Sequence, residues 1–194
     1  MPTKSPLSVI RPDERFQVFI DGPNLHSSTR GLRFDMDYKK MHDLFNSVGK
    51  CQRIGYYTGV LERGPDEEQP MRRLLDYLDY NGFNVVTKIA MEYFDEVSGE
   101  TTIKGNMDVE LAVDMLECRN VDHIVLFSGD GDFYPVVEAL KRRGTRVTVV
   151  STIRTKPAMV NDDLRRAADN FIDLKDLEPI MARPPQEEEQ RRYA

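Results

Sequence analysis

The chain is poor in the residues on which most catalytic or cross-linked proteins depend. It has two cysteines, Cys51 and Cys118, far apart and in no CxxC or Cys/His spacing. Neither a disulfide framework nor a zinc site is therefore expected, and both read as structural thiols. Three histidines occur, none in a pattern that pairs a base with a nucleophile. No apolar run approaches the length of a bilayer span, and Met1-Pro2-Thr3-Lys4-Ser5-Pro6 lacks the apolar core of a secretory signal. A cytoplasmic protein with no membrane partner is expected. Positive charge is not in excess either: 27 Lys and Arg stand against 33 Asp and Glu, a net charge of −6. That balance argues against a protein that coats nucleic acid non-specifically. It leaves room for a nuclease whose gathered carboxylates hold divalent ions behind a local basic rim.

What the sequence does have is regular alternation. Its 194 residues suit one ordinary domain. Short β-branched runs at Phe16–Ile20, Gln52–Val60, Phe83–Lys88, Ile124–Phe127, Arg146–Val150 and Phe171–Leu174 read as strands. Helical spacing marks the segments after Asp37, from Met71 to Leu78, from Asn106 to Cys118, from Phe133 to Leu140 and from Asn161 to Ala168. The pattern predicts an α/β fold, a parallel sheet of five or six strands with helices on both faces. Residues 1–14 read as a flexible arm, 15–178 as the domain and 179–194 as a disordered tail. Pro65–Gln69 reads as a polar connection. Tyr93–Lys104 reads as an exposed hairpin turning at Val97-Ser98-Gly99, a segment through which a homodimer could form.

The organising stretch is Ile124-Val125-Leu126-Phe127-Ser128-Gly129-Asp130-Gly131-Asp132-Phe133, a buried strand followed by two glycines and two carboxylates. Acids at a strand's C-terminal edge repel one another and are rarely placed there for stability; a cation usually holds them. A second strand ends on Asp21. In open α/β sheets the ligand crevice lies beyond the strands' C-terminal ends where the two halves diverge, so Asp21, Asp130 and Asp132 are expected in one crevice. Helix register adds Asp108, which shares a face with Leu111, Ala112 and Met115, whereas Asp114 lines up with Glu110 and Glu117 on a face that reads as solvated. Oxygen donors without histidine or cysteine select magnesium or manganese. Ions of that kind suit attack of an activated water on a phosphodiester.

Asp21-Gly22-Pro23-Asn24, Lys104-Gly105-Asn106-Met107-Asp108, Leu111-Ala112-Val113-Asp114, Ser128-Gly129-Asp130-Gly131-Asp132-Phe133 and Leu164-Arg165-Arg166-Ala167-Ala168-Asp169-Asn170-Phe171 together resemble the LabA-like NYN domains of the PIN-like nuclease superfamily. The resemblance runs from about Phe16 to Leu174. It implies a three-layer Rossmann-like fold with the strand ending at Asp21 beside the strand preceding Ser128. It also implies a Mg2+- or Mn2+-dependent ribonuclease with RNA as partner, and metal-site acids matching Asp21, Asp108, Asp130 and Asp132. Asn24 and Ser128 match positions expected to orient the site or substrate. One departure stands out: two residues rather than one separate Lys104-Gly105 from the acid, so Asp108 and Asp114 compete for that role.

Plainer readings stand beside these. Asp21 and Asn24 are common turn formers, Ser128 and Asp132 are favoured at helix starts, and Lys104 at the end of a hairpin is more commonly an exposed lysine than a phosphate contact. Arg30 and Arg154, with Arg33 and Lys156, follow strand ends and are the expected basic rim, whereas Arg72-Arg73, Lys141-Arg142-Arg143 and Arg165-Arg166 read as solvated helix faces. The leading expectation is a metal-dependent endoribonuclease; the alternative is a non-catalytic regulatory scaffold that binds RNA or protein. A phosphohydrolase of the haloacid-dehalogenase kind needs a second Asp two residues after the first, where Pro23 stands.

Overall fold

The computed structural model describes residues 5–61, 70–94 and 101–184, with the backbone alone for 92–94 and 101–104. Strands β1 (Arg15–Asp21), β2 (Lys50–Leu61), β3 (Asn84–Phe94), β5 (His123–Phe127), β6 (Arg146–Ser151) and β7 (Asn170–Asp173) are parallel, and β4 (Thr101–Lys104) pairs antiparallel with β3. Their order is β4-β3-β2-β1-β5-β6-β7, which puts the point where the sheet reverses direction between β1 and β5. The six parallel strands and two helical layers agree with the expected α/β fold.

Each strand's burial follows from two-sided covering. All five residues of β5 are buried, Val125 and Phe127 toward one core and Ile124 and Leu126 toward the other. The first core joins Phe16, Val18 and Ile20 of β1 to α1 (Gly22–Leu32), α2 (Tyr38–Val48), α3 (Pro70–Tyr80) and α7 (Leu174–Met181). The second joins Phe19 and Tyr57 to α4 (Asp108–Glu117), α5 (Tyr134–Arg142) and α6 (Asp162–Ala167). Burying each large apolar side chain contributes roughly 1.5–3 kcal/mol, so the central strands are firmly held from both sides. A rigid sheet centre is what fixes the acids at its edge.

The sequence reading needs four adjustments. Asp21 and Asn24, which as turn formers would end β1 in a turn, instead start a helix: Gly22-Pro23-Asn24 opens α1, with Asp21 as its cap and Pro23 in the first turn, where a missing N–H costs nothing. From Ser5 onward the arm is not loose: Pro6–Val9 forms a 3-10 turn, and Leu7 and Ile10 are buried in the first core. The domain also runs past residue 178. Helix α7 continues through Pro179, Met181 is fully buried, its carbonyl accepts the Asp37 N–H at 2.8 Å, and Ala182 bridges to Met36. Strand β3 is longer than expected because it continues to Phe94 as the partner of β4. The polar connection at 65–69, the hairpin turn at 97–99 and the tail from 185 lie outside the described residues.

Candidate metal centre

The central register builds the site. Ile20 aligns with Phe127 across β1 and β5, so Asp21 and Ser128 emerge side by side beyond the strand ends. One Asp21 oxygen accepts the Asn24 N–H at 3.2 Å and the other accepts the Ser128 hydroxyl at 2.8 Å. The same Ser128 oxygen accepts the Asp130 N–H at 3.2 Å, and the Asn24 side-chain carbonyl accepts the Gly129 N–H at 3.1 Å. Asp130 then caps the 3-10 turn Gly131–Phe133 by accepting the Asp132 N–H at 2.9 Å. The two loops are thus braced against each other by the residues flagged in the sequence. Glycine at 129 is required by close approach, since a Cβ there would lie 2.0 Å from the Met159 carbonyl oxygen.

Asp108 reaches the same place from another direction. It opens α4, and its N–H donates to the Asn106 side chain at 2.7 Å while the Asn106 amide donates back to the Asp108 carboxylate. On its way there the chain passes tightly over Gly59 of β2 and Ala90 of β3 at Gly105. A Cβ on Gly59 would lie 2.4 Å from the Gly105 carbonyl oxygen, and one on Gly105 would lie 2.4 Å from the Ala90 Cβ.

Asp108, Asp130 and Asp132 can each offer an oxygen within 4.8 Å of the others. Asp21 stands behind this triad, with both oxygens accepting hydrogen bonds, and joins Asp108, Asp130 and Asn24 in lining a cleft of about 430 Å³. No Lys or Arg among the described residues forms an ion pair with any of these four acids. Burial pushes the Asp21 carboxyl above its ordinary range against the pull of Ser128 and Asn24, and Asp108 and Asp130 push it further. Burial likewise raises Asp108, with Asn106 opposing and Asp130 and Asp132 adding to the rise. A bound dication would relieve both penalties.

Asp114, Arg30 and Arg154 do not line the cleft. Asp114 accepts the Tyr57 hydroxyl at 2.8 Å beside the second core, so Asp108 and not Asp114 lines the cleft. That face of α4 is not simply solvated: the half-buried Asp114 is bound to Tyr57, and burial with this contact pushes the phenol's pKa upward. Arg30 is exposed in the last turn of α1, far along the helix from Asp21. Arg154 is held by Asp176 and lies 3.8 Å from Asp173. Neither arginine lines the cleft. The Lys104 side chain lies outside the described residues. Cys51 and Cys118 are free and half-buried, and burial pushes the Cys51 thiol up to about 11, as structural thiols should behave. Sequence reasoning missed Ser27, Ala90 and Met159 as cleft walls. It also missed Gly59, whose position inside a strand pattern is itself a sign of close backbone approach.

The NYN domain family model matches residues 15–177. The chain is 34% identical over 167 residues to the low amplitude and bright protein LabA of Synechococcus elongatus, covering 84% of this chain and 85% of that protein. It is 26% identical over 141 residues to the uncharacterized protein MJ0482 of Methanocaldococcus jannaschii, covering 71% of this chain and 48% of the relative. A crystal structure of a protein of unknown function, VPA0982 from Vibrio parahaemolyticus, superposes with a TM-score of 0.68 at 24% identity. That superposition covers 88% of this chain and 97% of the other, and shows a shared fold. The extent of the family match and of the likeness to LabA places the chain in the NYN domain family, as a LabA-like member.

Proposed function

We propose that this protein is a Mg2+- or Mn2+-dependent endoribonuclease acting in the cytoplasm. The observation that carries the reading is the convergence of Asp108, Asp130 and Asp132, without a partner cation among the described residues, beside the cleft that Asp108 and Asp130 line at the switch point of the sheet. The donor set fits a hard divalent ion: carboxylate oxygens alone, close together, with histidine and cysteine absent from the group. Asp108, Asp130 and Asp132 would hold the ion. When bound, such an ion generates a nucleophile from water at neutral pH and offsets charge on a phosphodiester. Asp21 orients the site by holding Ser128, and Ser128 in turn positions Asp130 through its backbone N–H. Asn24 fixes the glycine loop that carries Asp130 and Asp132.

Incubation of the protein with single-stranded RNAs of varied sequence tests the reading. Cleavage is expected with Mg2+ or Mn2+, lost with EDTA, restored by excess Mn2+, and reduced by at least about a hundredfold in Asp130→Asn. RNAs left intact, with binding that Asp130→Asn does not alter, would support the non-catalytic scaffold instead.

A further inference from the structure

A second groove, of about 990 Å³, adjoins the carboxylate triad through Asp132. Gly131 and Asp132 line its near end, so the 3-10 turn that bears one acid of the triad is the rim shared with the carboxylate site. From there the groove runs between α5 and α6. Tyr134, 43% exposed at the start of α5, forms one wall with Pro135 beside it. Arg166 forms part of the opposite wall.

Arg166 has no ion-pair or hydrogen-bond partner among the described residues, as Arg142 outside the groove has none, whereas its other basic neighbours are engaged. Arg165 is spent on Asp162 at 3.2 Å and lies over the Phe171 ring, Lys141 donates to the Ala167 carbonyl, and Arg143 donates to the Leu116 carbonyl. An exposed ring opposite an unpaired guanidinium, in a groove that adjoins the carboxylate triad through Asp132, is the combination that tracks a single strand: a platform for a base and a contact for a phosphate. Glu138 and Asp163 also reach the groove. Their charge disfavours the two phosphate rows of a duplex and leaves room for one backbone on the Arg166 side, with bases turned toward Tyr134 and Pro135.

We infer that the α5/α6 groove is a substrate-binding extension of the acidic cleft for single-stranded RNA, with Tyr134 stacking on a base and Arg166 contacting a phosphate. This rests on the nuclease reading of the cleft. The sequence pattern alone assigns Arg165-Arg166 to a solvated face; their separation into one engaged and one free cation is a property of the fold.

The test is fluorescence anisotropy with a labelled oligoribonucleotide of about ten nucleotides, in an Asp130→Asn background where cleavage does not interfere. Tyr134→Ala should weaken binding by about fivefold or more. Arg166→Gln should weaken it by about threefold or more and lower the slope of log affinity against log salt by about 0.7. Arg142→Gln, which removes an exposed charge from α5 outside the groove, should leave binding unchanged. The groove assignment is overturned if the background protein fails to bind the oligoribonucleotide. It is also overturned if the two groove variants bind as the background does, or if Arg142→Gln is as damaging as Arg166→Gln. Groove-dependent binding by a protein that cleaves no phosphodiester would instead overturn the nuclease reading while leaving the groove in place.

Discussion

Where β1 and β5 lie side by side, the two ends of the sheet treat their charged groups in opposite ways. At the N-terminal edge Glu14 is only 6% exposed, yet it is fully partnered. It accepts the Arg11 N–H at 3.0 Å, the His123 ring at 3.2 Å and the Arg146 guanidinium. Burial alone would raise its carboxyl, but these three partners together hold it below its ordinary value. Because His123 Nδ1 faces that carboxylate, its proton sits there, leaving Nε2 to accept the Thr148 hydroxyl at 2.8 Å. Asp122 on the same edge is held at about 2 by Arg15, which bonds both its oxygens. At the C-terminal edge Asp21 and Asp108 are pushed the other way by burial and by neighbouring carboxylates, with no guanidinium or ammonium paired to them among the described residues. One fold has neutralised its acids where they serve structure and left them uncompensated where β1 and β5 diverge. That contrast, more than the count of aspartates, locates the site.

If the contrast is right, removing a negative charge must have opposite effects at the two edges. Asp108→Asn should lower metal-dependent RNA cleavage by about a hundredfold or more. It should also raise the melting temperature of the metal-free protein, because the variant keeps the Asn106 contacts while losing the repulsion. Mn2+ should stabilise the wild type and not this variant. Cleavage assays and thermal melts with and without EDTA decide it; an Asp108→Asn protein that melts lower than wild type in EDTA would show the charge to be structural.

Glu14→Gln is the converse. It leaves Arg146 and His123 facing a neutral group at a buried position, and a loss of about 2–3 kcal/mol in unfolding free energy is expected. Cleavage by the folded fraction should be unchanged. Urea titration measures the first quantity and active-site-normalised kinetics the second. A variant as stable as wild type would mean that the network on this edge contributes nothing.

Much of this was legible in the chain. Buried apolar runs announce β1 and β5, and helix register alone prefers Asp108 over Asp114 for the crevice. Other features are hidden for physical reasons. Gly22-Pro23-Asn24 has the composition of a turn, and only the Asp21 cap shows that Pro23 is starting a helix. Glu14 and His123 lie 109 residues apart, so no local pattern pairs them. Arg154 follows a strand end, as a rim residue should, but Asp173 and Asp176 arrive from a later segment to occupy it. Local periodicity reports which face a residue is on; what stands opposite is decided by topology.

A smaller effect is expected at the brace between the two edge loops. Ser128→Ala removes the donor to Asp21 and the acceptor for the Asp130 N–H while leaving the triad's own carboxylates in place. Loss of one or two such positioning bonds should lower kcat by about tenfold, with metal affinity reduced by about the same factor. Isothermal titration with Mn2+ beside single-turnover cleavage separates the two. Cysteine at 128, a weaker donor of similar shape, should fall between wild type and alanine; equal activity in all three would remove Ser128 from the orienting role.

The smallest and most diagnostic effect is in the pH dependence of stability without metal. Burial lowers the His123 pKa below 6.5, so on acidification the unfolded chain takes up the proton first. The stability this histidine contributes is therefore complete above pH 6.5 and is lost as the pH falls from there through its folded value. Asp21 and Asp108 run in the reverse sense. Their folded values lie above 3.8, so the folded chain takes up protons first; their penalty is absent below pH 3.8 and grows as the pH rises through the folded values. Urea titrations in EDTA between pH 4 and 7.5 should show His123→Gln with a shallower fall in stability below pH 6.5 than wild type. The advantage of Asp108→Asn over wild type should be present at pH 7 and shrink toward pH 4. Parallel curves for wild type and both variants would mean that neither edge stores proton-linked free energy, and the opposition between them would reduce to a difference in hydrogen bonding.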